Sequence, residues 1–388
     1  MDFSLSEEQK MLHDTVFKFA KNEWEPRTIE IDEADRFPWW LWERLRELGW
    51  CGLMIPEEYG GAGLGALEAS IMFEAAGHAG ADTGSALAWS SHAVIGTMPI
   101  VLCGNEEQKA RYLPKLATGE WISCFCLTEP NVGSDAASVQ CSAVLNGDHY
   151  ILNGTKMFIT NGPIADVAIV IAATDKSKGA RGVSAFIVEK NFAGFSVGRK
   201  LDKIGQRGSE TSEVIFDNCV VPVENRLLAE GQGFSGVGAA NLEYERVVLP
   251  ATWVGTLGYN LDLAVAYANQ RTQFGQPIAR FPQIRDMLVR MKMDYDVAKM
   301  LLYRAAWMKD QGTPAPLEAT MFKIFVGQAS MRSAIEGMQV HGGYGMMKEY
   351  KIERSLRDAK LTSVGGGTEQ VLNEVIARLL TGTRSLTM

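Results

Sequence analysis

The sequence predicts an α+β chain in three parts: a helical segment, a β segment and a second helical segment. Three observations carry this. Apolar residues recur at helical spacing through residues 1–120. Residues 121–228 break into short β-rich runs divided by turn dipeptides, with no helix-length insert between them. Residues 229–388 return to the helical period. A length of 388 residues holds roughly two to three domains at ~150 residues each, with expected boundaries at 120/121 and 228/229.

The first segment opens on Ser6-Glu7-Glu8-Gln9, a capping box with Ser6 as N-cap and Gln9 reaching back. Leu12, Val16, Phe19 and Ala20 follow on one helical face. Another helix is expected from about Pro38 to Leu48. Gly60-Gly61-Ala62-Gly63 interrupts the pattern, which resumes near Leu67. Glu106–Leu116 reads as a further short helix.

In the middle segment the expected strands are Trp121–Leu127, His149–Leu152, Val167–Ala172, Ser184–Val188 and Glu213–Phe216. Asn146-Gly147, Asn153-Gly154 and Asn161-Gly162 are expected turns. Hairpin spacing favours an antiparallel sheet or barrel over βαβ units. Cys124 and Cys126 form a CxC without a second pair, so they read as thiols buried on one strand face rather than zinc ligands. The five histidines are scattered, and no metal is expected.

In the last segment, ten of the 17 methionines fall between Met287 and Met347, and they read as flexible filler in a helix-bundle core. Gly231-Gln-Gly233-Phe-Ser-Gly236 matches G-x-G-x-x-G. Nine residues including Pro222 separate it from the candidate strand Val214–Val221 and no parallel strand follows, so it reads as the start of a long helix, not a dinucleotide fingerprint. On that helix Leu242, Glu245, Leu249 and Trp253 share a face. A carboxylate in an apolar stripe is costly unless paired or used. A structural ion pair and a general base of raised pKa are both open on spacing alone. Glu243, three residues before Arg246, is expected to form a surface pair with it.

The formal net charge of −8 argues against nucleic-acid binding as the main work. No run approaches the ~20 apolar residues of a membrane span, the longest strongly apolar stretch being Val167–Ala173. The opening MDFSLSEEQK has no basic n-region, apolar h-region or Arg-rich pattern, so the expected location is cytoplasmic, or a processed chain. Three polar or glycine-rich loops stand out: Thr128–Asp135, which is open between a site for phosphate or a heteroaromatic ring and an ordinary polar turn, and Gly342–Gly345 and Gly365–Thr368, where backbone can approach a ligand closely.

Together these segments resemble the acyl-CoA dehydrogenase family of flavoproteins over nearly the whole chain. The blocks are Pro56-Glu-Glu-Tyr-Gly-Gly61, Gly104-Asn-Glu-Glu-Gln-Lys109, Tyr112-Leu-Pro-Lys-Leu116, Leu127-Thr-Glu-Pro130, Gly133-Ser-Asp135 and Leu152-Asn-Gly-Thr-Lys156. They continue with Ile159-Thr-Asn-Gly162, Arg271-Thr-Gln-Phe-Gly275, Gln339-Val-His-Gly-Gly343 and Arg357-Asp-Ala-Lys360. Within the family the chain is most similar to the isovaleryl-CoA dehydrogenase-like branch, through Asn161-Gly-Pro163, Leu201-Asp-Lys-Ile-Gly205 and Arg207-Gly-Ser209. The resemblance implies an N-terminal helical domain, a middle antiparallel β-barrel and a C-terminal four-helix bundle. It implies FAD held between barrel and bundle, and a homotetramer built as a dimer of dimers.

The resemblance also assigns residues. Phe125, Leu127, Thr128 and Ser134 match the first flavin-contacting strand and loop, Ser134 also approaching the CoA. Phe158 and Thr160 match the segment against the isoalloxazine, where the family commonly has Trp at position 158. Arg271, Gln273, Phe274 and Phe281 match contacts to the neighbouring subunit's FAD, with Pro282 standing where Gln is usual. Gln339, Gly342 and Gly343 match the adenosine–pyrophosphate cradle. Thr368 and Gln370 match the last flavin contacts. Glu243, Tyr244 and Arg246 match a substrate-contacting turn. Many members carry the catalytic Glu where this chain has Gly366. The isovaleryl and long-chain branches place it on the helix before Arg, which here is Glu245.

The implied reaction is α,β-dehydrogenation of an acyl-CoA to the 2-enoyl-CoA. Glu245 removes the α-proton, and the Gly366 N–H with a ribityl hydroxyl holds the thioester carbonyl. Electrons pass to an electron-transfer flavoprotein. Trp89, in Leu87–His92, either shortens the acyl cavity in favour of a short, branched or cyclic acyl group or packs in the core. The competing readings are an acyl-CoA lyase or desulfinase of the same fold, a non-catalytic assembly or binding member, and an oxygen-using oxidase.

Overall fold

The computed structural model describes residues 4–383. Seven helices precede the sheet: α1 (Glu7–Phe19), α2 (Thr28–Ala34), α3 (Trp39–Glu47), α4 (Ala66–His78), α5 (Thr83–Ser90), α6 (Met98–Cys103) and α7 (Glu106–Ala117). The capping box at α1 is formed, with Gln9 N donating to Ser6 Oγ and Ser6 N to Gln9 Oε1, both at 3.1 Å. Asn105 and Gln108 make a second one at α7.

The strands are β1 (Ser123–Cys126), β2 (Ser142–Asn146), β3 (His149–Thr160), β4 (Val167–Ala173), β5 (Val183–Glu189), β6 (Phe195–Lys200), β7 (Thr211–Pro222) and β8 (Arg226–Leu227). They form one eight-stranded sheet in the order β6-β7-β3-β2-β4-β5-β8, with β1 joined to β4. The sheet is antiparallel except that β1 runs parallel to β4, and one parallel bridge links β2 to β4. The parallel pairing is a departure from the expected sheet, and it places Phe125 opposite Ile169. Asn153-Gly154 is not a turn. It is a bulge inside β3, which runs on to Thr160 against β7. Cys124 and Cys126 are buried on one face of β1, their sulfurs 3.9 Å apart.

After the sheet come α8 (Ala239–Val247), α9 (Ala251–Gln270), α10 (Pro282–Asp310), α11 (Pro316–His341), α12 (Ile352–Ala359) and α13 (Glu369–Thr381). Helices α9, α10 and α11 pack on one another, α13 lies against α11, and α4 packs along α9. One core joins helices from both ends of the chain through Phe73, Trp89, Trp253 and Phe322. A second core lies within the sheet and takes in Tyr112, Leu113 and Leu116 of α7.

Three expectations change here. The long helix after Gly231–Gly236 is two helices, because Pro250 separates α8 from α9. The glycine motif serves packing: a Cβ on Gly233 would lie 2.3 Å from the Ser184 carbonyl carbon. The methionines of the bundle are not mainly core filler. Met291 is buried, whereas Met293, Met300, Met321, Met346 and Met347 are exposed. Finally, the helical run Thr83–Cys103 is long and apolar enough, by length and composition, to cross a membrane, although most of it is buried inside the protein.

Candidate active site

The site is best built outward from Glu245. Helix α8 carries it, and of the expected stripe Leu249 is buried just before the Pro250 break and Trp253 just after it. Glu245 keeps partial exposure, yet protein packs closely around its carboxyl group. Burial raises its pKa, opposed by the charges of Arg246 and Lys323. It makes no ion pair or hydrogen bond with another described side chain. Glu243 does not pair with Arg246 as expected. It accepts from Lys309 Nζ of α10 at 2.6 Å, and that ammonium lies 4.6 Å from the Tyr244 ring centroid. Arg246 instead donates from Nε to the Gly366 carbonyl at 3.3 Å.

That bond brings the last glycine loop onto α8. Gly366 has φ +68°, and a Cβ there would lie 3.4 Å from Glu245 Oε1. The loop position and the helix position therefore present a carboxylate to the same space. Thr368 caps α13, accepting from Val371 N at 3.3 Å, and Gln370 is exposed.

The strand side of the site is held by a buried ion pair. Lys156 Nζ lies 2.8 Å from Glu129 Oε1 and donates to the Leu127 carbonyl at 2.9 Å. Glu129 also accepts from Gln140 N and Cys141 N, which closes the loop after β1. Met157 N donates to Thr128 O at 2.8 Å, so Leu127 and Thr128 abut the Phe158 segment. Phe158 sits where the β3–β7 register slips, with φ +61° and 65% exposure. A non-glycine residue in that conformation costs about 1–3 kcal/mol, and such strain collects at ligand sites. Phe125 and Thr160 are half-buried and Ser134 is exposed.

The run after α5 ties the two sides together. His92 Nδ1 accepts from Ser123 N at the start of β1, and Asn241 of α8 donates to Ile95 O. Burial pushes His92 down to about 4, keeping it neutral. Trp89 is packed in the core, against Phe73 and Trp50, its indole N–H donating to the Trp50 carbonyl at 2.7 Å. Of its two sequence readings, this is the core one.

A second group gathers elsewhere. Arg271, Gln273, Gly342 and Gly343 line a groove of about 510 Å³ with Tyr267, Tyr344 and neighbours. Phe274 is 92% exposed beside it and meets Phe281 edge-on, ring centroids 6.0 Å apart. Gln339 is exposed on the last turn of α11. Pro282 opens α10, where a missing N–H is harmless. None of the strand-side residues lines this groove. Lys323 and Gly342 stand 19 positions apart along α11 and its cap, a separation of about 28 Å at 1.5 Å per residue.

Both surfaces suit a flavin dinucleotide. An aromatic ring is turned out on a strained bulge, and a cation stands beside glycines whose Cβ positions meet nothing within 4 Å.

Sequence reading missed Lys323, a buried lysine beside this site. The signal was available, since Lys323 lies in the apolar run Met321-Phe-Lys-Ile-Phe-Val326.

Comparison with known proteins identifies the family. The N-terminal, middle and C-terminal domain models of acyl-CoA dehydrogenase match residues 6–120, 124–219 and 231–381. The chain is 41% identical to an acyl-CoA dehydrogenase of Bacillus subtilis, covering 97% of this chain and 99% of the relative. It is 39% identical to the mitochondrial isovaleryl-CoA dehydrogenase of Pongo abelii, over 96% of this chain and 89% of that protein. It superposes with a TM-score of 0.95 and 40% identity on a chain in the solved structure described as an electron transferring flavoprotein of Acidaminococcus fermentans, covering 99% and 100% of the two chains. The chain therefore belongs to the acyl-CoA dehydrogenase family and is an FAD-dependent oxidoreductase that dehydrogenates acyl-CoA thioesters.

Proposed function

We propose that Glu245 is the base in α,β-dehydrogenation of a short, branched or cyclic acyl-CoA. The observation that carries this is that the Glu245 carboxyl lies 3.4 Å from the place a Cβ on Gly366 would occupy. A buried carboxyl of raised proton affinity is suited to accept the α-proton. The Gly366 N–H donates to the thioester carbonyl, where negative charge develops. FAD, when bound, accepts the β-hydrogen as hydride. Phe125, Leu127, Thr128, Ser134, Phe158, Thr160, Thr368 and Gln370 hold the flavin of their own subunit. Ser134, Glu243, Tyr244 and Arg246 line the CoA path, and Lys309 fixes the Glu243 carboxylate.

Arg271, Gln273, Phe274, Phe281, Gln339, Gly342 and Gly343 serve the dinucleotide of a neighbouring subunit. The separation along α11 supports this. So does the exposed apolar row Val289, Met293, Met300 and Trp307 on α10, which needs a partner surface. The assembly is a dimer of dimers. The acceptor is an electron-transfer flavoprotein, a reading supported by the likeness to the Acidaminococcus chain. A cytoplasmic location fits the bacterial relative. The three-way division at 120/121 and 228/229 agrees with the change of element type.

The test is anaerobic mixing of the holoenzyme with a panel of straight, branched, aromatic and cyclic acyl-CoAs. Isovaleryl-CoA or butyryl-CoA should bleach the flavin fastest and yield the 2-enoyl-CoA. Product release with the flavin still oxidised would instead favour a lyase. A separate expectation concerns assembly. The holoenzyme should run as four chains in light scattering, and Arg271→Ala should lose FAD on gel filtration. A monomer that keeps its FAD would overturn the shared-site reading.

A further inference from the structure

Lys323 is 4% exposed, among Phe322, Phe325 and Val326 of α11. Its ammonium donates to the Thr362 carbonyl. No carboxylate among the described residues lies within ion-pair distance of it. Burying an ammonium without such a partner is costly, so its retention calls for a cause. The geometry names one. A Cβ on Gly366 would lie 3.3 Å from Lys323 Cε and 3.4 Å from Glu245 Oε1, so amine stem and carboxylate flank one point. The other charges nearby are few. Arg246 stands on α8 beside the base, and Glu243 is already paired with Lys309 of α10. The loop Leu361–Thr368 contains no ionisable residue. Burial pushes Lys323 down to about 8, while Glu245 acts to keep it charged.

We propose that Lys323 is a positioning residue for the base: its ammonium holds Glu245 ionised and, through Thr362, fixes the loop that carries Gly366. This rests on Glu245 being the base. Removing the ammonium should raise the proton affinity of Glu245, because the carboxylate loses its stabilising neighbour. At roughly 6 to 8 Å and an effective dielectric near 20, the shift is about 1.5 to 2 pH units.

The test uses FAD-loaded Lys323→Met and Lys323→Gln with isovaleryl-CoA and butyryl-CoA. Met removes both charge and hydrogen bond, whereas Gln removes the charge and can still donate to Thr362. The rate of anaerobic bleaching should fall about tenfold at acid pH in both variants, and its acid limb should move upward. An acid limb that stays in place in both overturns the proposal. Glu245→Gln run beside them separates the two readings: bleaching at full rate there removes the base itself, whereas its loss with unmoved Lys323 variants removes only the lysine's role. If neither lysine variant folds, infrared titration of the wild type, referenced to Glu245→Gln, decides. A Glu245 carboxyl still protonated above pH ~8, where Lys323 itself titrates, would exclude the ammonium as its support.

Discussion

Glu245→Gln should retain FAD and bleach it with acyl-CoA at least about a hundredfold more slowly than the wild type, the usual contribution of a positioned base. Gln is nearly isosteric and neutral, so it removes proton acceptance without opening a cavity. The pH dependence has a defined sign. A protonated Glu245 cannot accept the α-proton, and burial raises its pKa. The wild-type rate should therefore climb with pH through a limb lying above the ordinary carboxylate range. The Gly366 geometry adds a rescue. Glu245→Gly with Gly366→Glu returns a carboxylate to the same space, because a Cβ at 366 sits 3.4 Å from the present Oε1. Rescue should be partial, since φ +68° at that position costs a non-glycine residue roughly 1–2 kcal/mol. Rapid anaerobic spectrophotometry reads both variants. Wild-type bleaching by Glu245→Gln would end the case for this base.

The second large effect lies in the buried ion pair that joins β3 to the loop after β1. Glu129→Ala should destabilise the fold by about 3–5 kcal/mol, because it leaves the Lys156 ammonium buried without its counter-charge. Lys156 is 0% and Glu129 4% exposed, and Glu129 also satisfies two backbone N–H groups of the loop end. The double variant Glu129→Gln/Lys156→Met should be milder than Glu129→Ala, since no charge remains unpaired. Denaturant unfolding measures both. FAD occupancy should fall as well, because the same lysine anchors the Leu127 carbonyl beside Thr128. A Glu129→Ala enzyme within about 1 kcal/mol of wild type would mean that water or Leu127 alone suffices for Lys156.

What could be read in advance was local. The α1 capping box and the strands Val167–Ala173 and Val183–Glu189, buried at every position, announce themselves over a few residues. The misses are non-local or two-sided. β2 and β6 face solvent along much of their length, so they lack a long apolar run. Asn153-Gly154 has turn chemistry, but pairing with β7 keeps the strand going through it as a bulge. The β1–β4 pairing joins segments some forty residues apart and has no sequence signature. At the site, the apolar stripe singled out Glu245, and the family blocks supplied its alternatives. The partner of Glu243 lies on α10 rather than one helical turn away, because Lys309 reaches it and Arg246 is drawn to the Gly366 carbonyl. Lys323 is hard to read in sequence because a lysine in an apolar run can lay its stem along the apolar surface and keep its ammonium in water, so the run alone does not fix it as buried.

Helix α11 has a consequence of its own. It carries Lys323 beside Glu245 and the Gly366 loop and, at its far end, Val340 and His341, which line the Arg271 groove, on one uninterrupted rod. A rod of fixed pitch is a ruler. One residue inserted between those two points would advance the groove by 1.5 Å and swing it by about 100° around the helix axis. The spacing between the two ends is fixed by the helix pitch. Insertions and deletions belong in the loops around α11, and a single-residue insertion within it should shift the Arg271 groove out of register with Lys323 and Glu245.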